Sequence, residues 1–430
     1  MKDNKIYHFF SPESGPPNNE GAPIEPMLPE KPKNNQFFTG MLIGMLLMMA
    51  GFLLFGQIRT IYNMVTERPI AVNDKIDEIM SILDNHSINP FEEDELKESM
   101  FRGLLAGVGD PYTTYLDSRT FSSFMQSAEG TYGGIGVVVQ SDPIDKIVTI
   151  HVVFDGTPGA SAGLQPGDKF MEINGMDVSA VGLEEVTSLT KGRAGTSVRL
   201  TIYRPSEDRL FEVNIVREQI NIPTVNSEML HDNIGYIRIS SFDRVTVGQF
   251  QEAFDELQNE QMRGLIIDLR NNPGGLLDVV SKITNMLTPE GIIVYTEDVN
   301  GNREYIYSDA DYAGLPLVIL VNEFSASASE VLSGAVRDLN VGTLVGETTF
   351  GKGIVQNLYP LSDGSAIKVT VARYYTPGGI SIQGEGLVPD YVVEMSNEDA
   401  IRIGQLEFDE DAQLSKAHEI ILNMIVNVAA

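Results

Sequence analysis

The chain has 430 residues, too many for one ordinary hydrophobic core, so two or three globular units are expected. Asp and Glu outnumber Lys and Arg by 60 to 30, and the net charge of −30 repels nucleic-acid phosphates and anionic headgroups alike, so no nucleic-acid partner is expected. The sequence contains no cysteine, which removes disulfides, thiolate metal sites and cysteine nucleophiles together.

Residues 1–36 form a short Pro- and Asn-rich head that reads as a disordered tail. "FFTGMLIGMLLMMAGFLLFGQI", residues 37–58, carries no charge and matches the roughly 20 residues a helix needs to cross a bilayer. It lacks the shorter apolar core and small-x-small cleavage site of a secretory signal, so it reads as a retained anchor. Lys31 and Lys33 before it balance Arg59 and Arg68 after it. Orientation therefore rests on the short head, which stays in the cytoplasm while the long folded part is exported. Residues 59–120 read as a helical cap: Ile76, Ile79, Met80 and Leu83 form one helical stripe, and Leu96, Met100 and Leu104 form a second beyond Asn89-Pro90. Such stripes suit packing on a neighbour within the chain or, alternatively, self-association as a homo-oligomer.

From Gly130 the pattern changes to short β-rich runs with glycine turns. "TYGGIGVVVQ" places glycines at 133, 134 and 136 before an alternating apolar strand, and "GASAGLQPGDKFMEINGMDV" (159–178) adds tight turns. No G-K-[ST] and no helix follows, which argues against a phosphate loop. These residues resemble a bacterial-type PDZ domain over 121–217. That resemblance implies recognition of a free peptide C-terminus by the loop Gly133, Gly134, Ile135 and Gly136, with strand addition along a groove. From Ile220 onward, buried strands such as "IGYIRIS", "GLIIDLR" and "PLVILVN" alternate with helices, an α/β pattern over 218–395 followed by a helical segment over 396–430. "DLRNNPGGLL" (268–277) and "NEFSASASEV" (322–331) both follow strands, where α/β folds build their sites.

The second loop holds Ser325, Ser327 and Ser329 on alternate positions. A serine nucleophile needs a base and oxyanion donors. The five histidines, at 8, 86, 151, 231 and 418, have no triad-like neighbours, and H-E-x-x-H is absent, so neither histidine nor zinc chemistry is expected. "GETTFGKGIVQNLY" (346–359) offers Lys352, with Gln356 on the same face of a strand. Burial without a counter-ion favours a neutral amine able to take the serine proton, although G-K-G alone also reads as a surface turn.

Together with "DPYTTYL" (110–116) and "YYTPGGISIQGEGLVPD" (374–390), these motifs resemble the carboxyl-terminal processing peptidases, serine proteases with a Ser/Lys dyad and an inserted PDZ domain. With the transmembrane helix and the small helical cap, the resemblance implies a multidomain α/β architecture that adds a mainly β PDZ domain and a crotonase/ClpP-like α/β protease domain. It makes Ser327 the nucleophile, Lys352 the general base, Gln356 the residue that orients the lysine, and the N–H groups of Ala328 and of Gly274 or Gly275, with Gly274 chosen, the oxyanion donors. No cofactor or metal is implied. Where the family commonly begins R-G-x-x-G-T with an arginine that couples peptide binding to activation, "KGRAGT" has Lys191, and Ile380 replaces a frequent arginine. The expectation is a membrane-anchored extracytoplasmic endopeptidase acting on proteins or peptides with accessible C-termini. The alternatives are a non-catalytic PDZ scaffold and, third, a retinoid- or lipid-binding module of the same superfamily.

Overall fold

The computed structural model describes residues 36–66, 71–309 and 314–429, so the tail read over 1–36 lies, but for Gln36, outside the described residues. The chain divides into two compact units, Met1–Pro90 and Phe91–Ala430. In the first, the helix Gln36–Thr66 runs past the expected span, and its segment Gly40–Arg59 is long and apolar enough to cross a membrane. The helix Val72–His86 follows, with Ile76, Met80 and Leu83 on its half-buried side. It ends before Asn89-Pro90, since proline disfavours a helical residue ahead of it.

The second unit opens with the helix Glu93–Ala106 and the short strand Thr114–Leu116. Residues 107–117, read as part of a cap, thus include a strand that pairs antiparallel with Ala366–Tyr375 in a five-stranded sheet. The helix Ser118–Glu129 comes next. Asp117 caps its start by accepting from Thr120 N at 2.9 Å, and Gly130, at φ +66°, ends it in the left-handed conformation that glycine tolerates.

The β-rich insert that follows is a sheet ordered Val137–Ser141, Val148–Val153, Lys169–Ile173, Ser197–Arg204, Arg209–Val216, with the helix Leu183–Thr190 beside its first strand. Alternating apolar residues of these strands, among them Val148, Ile150, Val198, Leu200 and Ile202, fill its own core. A two-stranded ribbon, Thr131–Gly134 with Glu218–Asn221, ties its entry to its exit.

The remaining α/β body is built on a six-stranded sheet, Val225–Leu230, Ile234–Ile239, Gly264–Asp268, Leu317–Val321, Gly342–Gly346, Tyr391–Val392, parallel except for its first pair. Strands Gly264–Asp268 and Leu317–Val321 are buried at every residue, as expected for a sheet covered on both faces. Ile237, Leu265, Ile267, Ile319 and Val321 pack against helices Thr246–Asn259, Leu277–Leu287 and Ala328–Asp338. The alternate residues Tyr236, Ile266, Val318 and Leu320 pack on Leu414, Ala417, Ile420 and Ile421 of the helix Ala412–Ala429. The helical segment read separately over 396–430 therefore supplies one layer of this core.

Candidate active site

The loops after Gly264–Asp268 and Leu317–Val321 lie side by side because their strands are parallel neighbours. Their polar groups interlock. Ser325 Oγ donates to Leu269 O at 2.8 Å and accepts from Asn322 N at 2.9 Å, while Ser329 Oγ donates to Asn272 O at 2.9 Å; both serines are fully buried. Ser327, between them, is half-buried and lines a cavity of about 380 Å³. Its backbone sits at φ 56°, ψ −112°, a conformation L-residues avoid at a cost of order 1–3 kcal/mol, and the helix Ala328–Asp338 begins at the next residue. The sharp turn from strand to helix is what turns Ser327 toward the cavity while its neighbours point into the protein.

The same cavity is lined by Lys352 and Gln356. The G-K-G segment is packed rather than a surface turn: Gly353 N donates to Gln383 Oε1 at 2.8 Å, Gly351 O accepts from Gly384 N at 2.8 Å, and a Cβ on Gly353 would lie 2.8 Å from Gln383 N. Burial pushes the Lys352 amine below the usual lysine range, the Lys368 ammonium in the same cavity adds to this, and Glu330 opposes it. The Lys352 Nζ stands 5.3 Å over the Tyr112 ring. Simple strand alternation does not align Lys352 with Gln356, because the strand starts at Ile354 and its register shifts between Val355 and Gln356. Gln356 Nε2 instead donates to Tyr112 O at 2.6 Å, fixing the residue that covers the lysine. Tyr112 belongs to "DPYTTYL", a segment to which the sequence gives no role beyond its family likeness.

Glu330 was not singled out by the sequence. It is fully buried, and its carboxylate accepts from Ser327 N (2.8 Å) and Lys352 N (3.0 Å) on Oε2 and from Gly351 N (2.7 Å) and Thr349 Oγ1 (2.6 Å) on Oε1. Burial pushes this carboxyl up against four donors that hold it down. Above it, the Tyr374 hydroxyl donates toward Ser327 O at 3.0 Å and toward Lys352 O.

In the DLR loop, Gly274 N donates to Asn272 Oδ1 at 2.8 Å. The N–H groups of Gly275 and Ala328 have no hydrogen-bond partner among the described residues, and both residues line the cavity. Gly275 sits at φ +149°, and a Cβ there would lie 2.3 Å from Phe242 O. Arg270 points away from the cavity: it is 1% exposed and pairs with Asp268 and Asp411 at 2.7 and 2.8 Å, joining the strand end to the segment before the last helix.

In the insert, Ile135 is buried in the core and its carbonyl accepts from Gly159 N at 2.7 Å, while Gly136, at φ +80°, accepts from Phe154 N at 3.0 Å. The N–H groups of Ile135 and Gly136 have no partner among the described residues. Gly133 and Gly134 belong to the ribbon strand, where Gly133 O accepts from Gly192 N at 3.0 Å. The strand Val137–Ser141 is the free edge of its sheet, beside the helix Leu183–Thr190, with Val137, Val139 and Leu189 on the apolar wall between them. Lys191 places its ammonium 5.1 Å over the Tyr132 ring. The guanidinium at that helix end is Arg217, which the sequence did not flag: Nε and Nη2 donate to Thr190 O and Leu189 O, each at 2.8 Å.

A family model for peptidase family S41 matches residues 233–393, and one for the PDZ domain matches 124–203. A carboxy-terminal-processing protease of Bartonella bacilliformis is 36% identical over 311 residues, 70% of each chain. A carboxyl-terminal-processing protease of Synechocystis is 34% identical over 337 residues, 77% of this chain and 78% of that one. Among solved structures, a photosystem II D1 C-terminal processing protease is 30% identical, covering 74% of this chain and 86% of the other at a TM-score of 0.44. The insert is thus a PDZ domain and the α/β body a serine peptidase domain. The chain belongs to the carboxy-terminal processing proteases of peptidase family S41.

Proposed function

We propose that Ser327 and Lys352 form the catalytic pair of a membrane-anchored extracytoplasmic endopeptidase that captures C-terminal tails of proteins through its PDZ domain. The observation that carries this reading is the shared cavity: of the three serines only Ser327 opens into it, beside a lysine whose burial and cationic neighbour favour the neutral amine. Neutral Lys352 takes the Ser327 proton as Oγ bonds to the scissile carbonyl carbon. The resulting oxyanion accepts from the N–H groups of Ala328 and Gly275, the latter replacing the Gly274 expected from sequence because the Gly274 donor is already used by Asn272. The Lys352 ammonium then protonates the leaving amine, the C–N bond breaks, and an ester to Ser327 remains. Water gives its proton to the same amine and its oxygen to the acyl carbon, and Ser327 leaves with that proton. Gln356 acts by holding Tyr112 over the lysine.

In this reading the free N–H groups of Ile135 and Gly136 meet the terminal carboxylate, and the tail adds to the edge strand Val137–Ser141. The anchor is the helix Gln36–Thr66, and the α/β body is taken as crotonase/ClpP-like. The test is cleavage of an unstructured peptide with a free C-terminus by wild type, Ser327→Ala and Lys352→Arg. Both variants are expected to be inactive, since a guanidinium keeps its charge and cannot act as the base. Turnover by either would refute the assignment.

A further inference from the structure

Ser327 and Lys352 come from different loops, yet their backbone polar groups converge in pairs. Both N–H groups meet Glu330 Oε2, at 2.8 and 3.0 Å, and both carbonyls meet the Tyr374 hydroxyl. We propose that Tyr374 is a positioning residue for this pair: its single O–H, held between the two carbonyls, sets the separation of nucleophile and base. The inference rests on the catalytic reading above and deepens it.

Three observations carry it. First, Tyr374 is 3% exposed, and burial followed by the Glu330 charge pushes its hydroxyl well above the usual tyrosine range, so it stays a donor throughout the working pH range. Secondly, the ring is held independently of the hydroxyl. Tyr374 N donates to Gly353 O at 3.0 Å, the residue pairs with Thr296 across the sheet, and the side chain belongs to the main hydrophobic core. Thirdly, the two carbonyls do not depend on the hydroxyl equally. Ser327 O keeps Glu330 N (2.9 Å) and Val331 N (3.0 Å) as donors, whereas Lys352 O has no other donor among the described residues. Removing the hydroxyl therefore leaves the Lys352 carbonyl without a donor, so that the lysine is held only through its own N–H on Glu330 and the Gly353 N–H on Gln383, and leaves the serine turn in place. Misplacement of a catalytic group by about 1 Å costs on the order of a hundredfold in rate.

The experiment compares the full-length wild type with Tyr374→Phe, Tyr375→Phe and Ser327→Ala on one free-acid peptide. It reads kcat, KM, the thermal unfolding midpoint and the rate of Ser327 labelling by a fluorophosphonate probe. Tyr374→Phe is expected to lose roughly a hundredfold in kcat, and a similar factor in labelling, with KM and unfolding midpoint as in wild type. Tyr375, whose ring stacks on Tyr295 at 5.0 Å and does not line the cavity, serves as the control with unchanged activity. Wild-type kcat in Tyr374→Phe with a dead Ser327→Ala would overturn the clamp and leave the catalytic pair standing. So would a fall in kcat matched by loss of cooperative unfolding, which makes the hydroxyl merely structural. Activity in Ser327→Ala would overturn both.

Discussion

Replacing Glu330 by glutamine changes one atom at the point where the Ser327 and Lys352 loops meet. The carboxylate receives four donors and gives none, so the amide must turn an NH2 group toward one pair of them. The cheaper orientation faces Thr349, whose hydroxyl oxygen can accept, and Gly351, whose N–H then has no acceptor. One unmet buried N–H costs about 1–3 kcal/mol, partly offset because a neutral group is less costly to bury, so Glu330→Gln is expected to lose about 2 kcal/mol of stability. Glu330→Ala leaves three N–H groups and a hydroxyl without their acceptor and is expected to lose at least about 4 kcal/mol, a large share of a domain's total. The chain has no tryptophan, so urea unfolding is followed by circular dichroism. Activity should fall further than the unfolded fraction explains: Glu330→Ala removes the oxygen that Ser327 N and Lys352 N share, and Glu330→Gln leaves them a neutral amide oxygen in place of the carboxylate while the neighbouring Gly351 N–H loses its acceptor. A Glu330→Gln protein with wild-type midpoint and wild-type kcat would refute the carboxylate's role as the joint between the loops.

The flanking serines should separate from Ser327: Ser325→Ala strands Asn322 N–H and loses about 2 kcal/mol, Ser329→Ala loses about 1 kcal/mol, and both retain cleavage measured at a temperature where they are folded. The pH dependence of kcat/KM should show activity rising as Lys352 loses its proton, with a midpoint below the ordinary lysine range, since only the amine above its lowered pKa is a base. Gln356→Glu should move that midpoint to higher pH, because a carboxylate in the cavity favours the ammonium and no longer donates to Tyr112 O; an unchanged profile would separate Gln356 from the lysine. Amidating a substrate's C-terminus should weaken cleavage markedly, and equal turnover of acid and amide would remove the Ile135–Gly136 loop from recognition.

What the sequence revealed and what it hid divide along a physical line. The apolar span, the glycine-rich PDZ loop and the alternation of buried strands with helices are local or periodic signals, and each appears in the fold. Selecting Ser327 over its neighbours rested on family resemblance, because three small serines at alternate positions are equivalent on paper. They become distinct only when Leu269 and Asn272 take two of the hydroxyls and the third sits on a strained turn. The choice between Gly274 and Gly275 has the same character, since only the fold shows that Asn272 takes the Gly274 N–H. Arg217 was hidden because its partners lie across the domain on the helix it caps.

The site's organisation is the least local feature of all. Glu330 stands in the serine motif "NEFSASASEV", but its contacts depend on N–H groups of a loop that folds back from beyond the next strand. Tyr112, before the PDZ insert, and Tyr374, on a strand near the end of the body, reach the same lysine from opposite ends of the chain. A pair drawn from two loops, each strained or tightly packed, needs such tertiary braces: local sequence makes the turns, while the carboxylate and the phenol hold the turns in register. The PDZ insert joins this arrangement through the helix Ser118–Glu129, whose Phe124 lies 5.8 Å from the Lys368 ammonium in the cavity wall. Phe124, Lys352 and Lys368 thus line one cavity, and the helix that leads into the insert supplies part of the surroundings of the lysine.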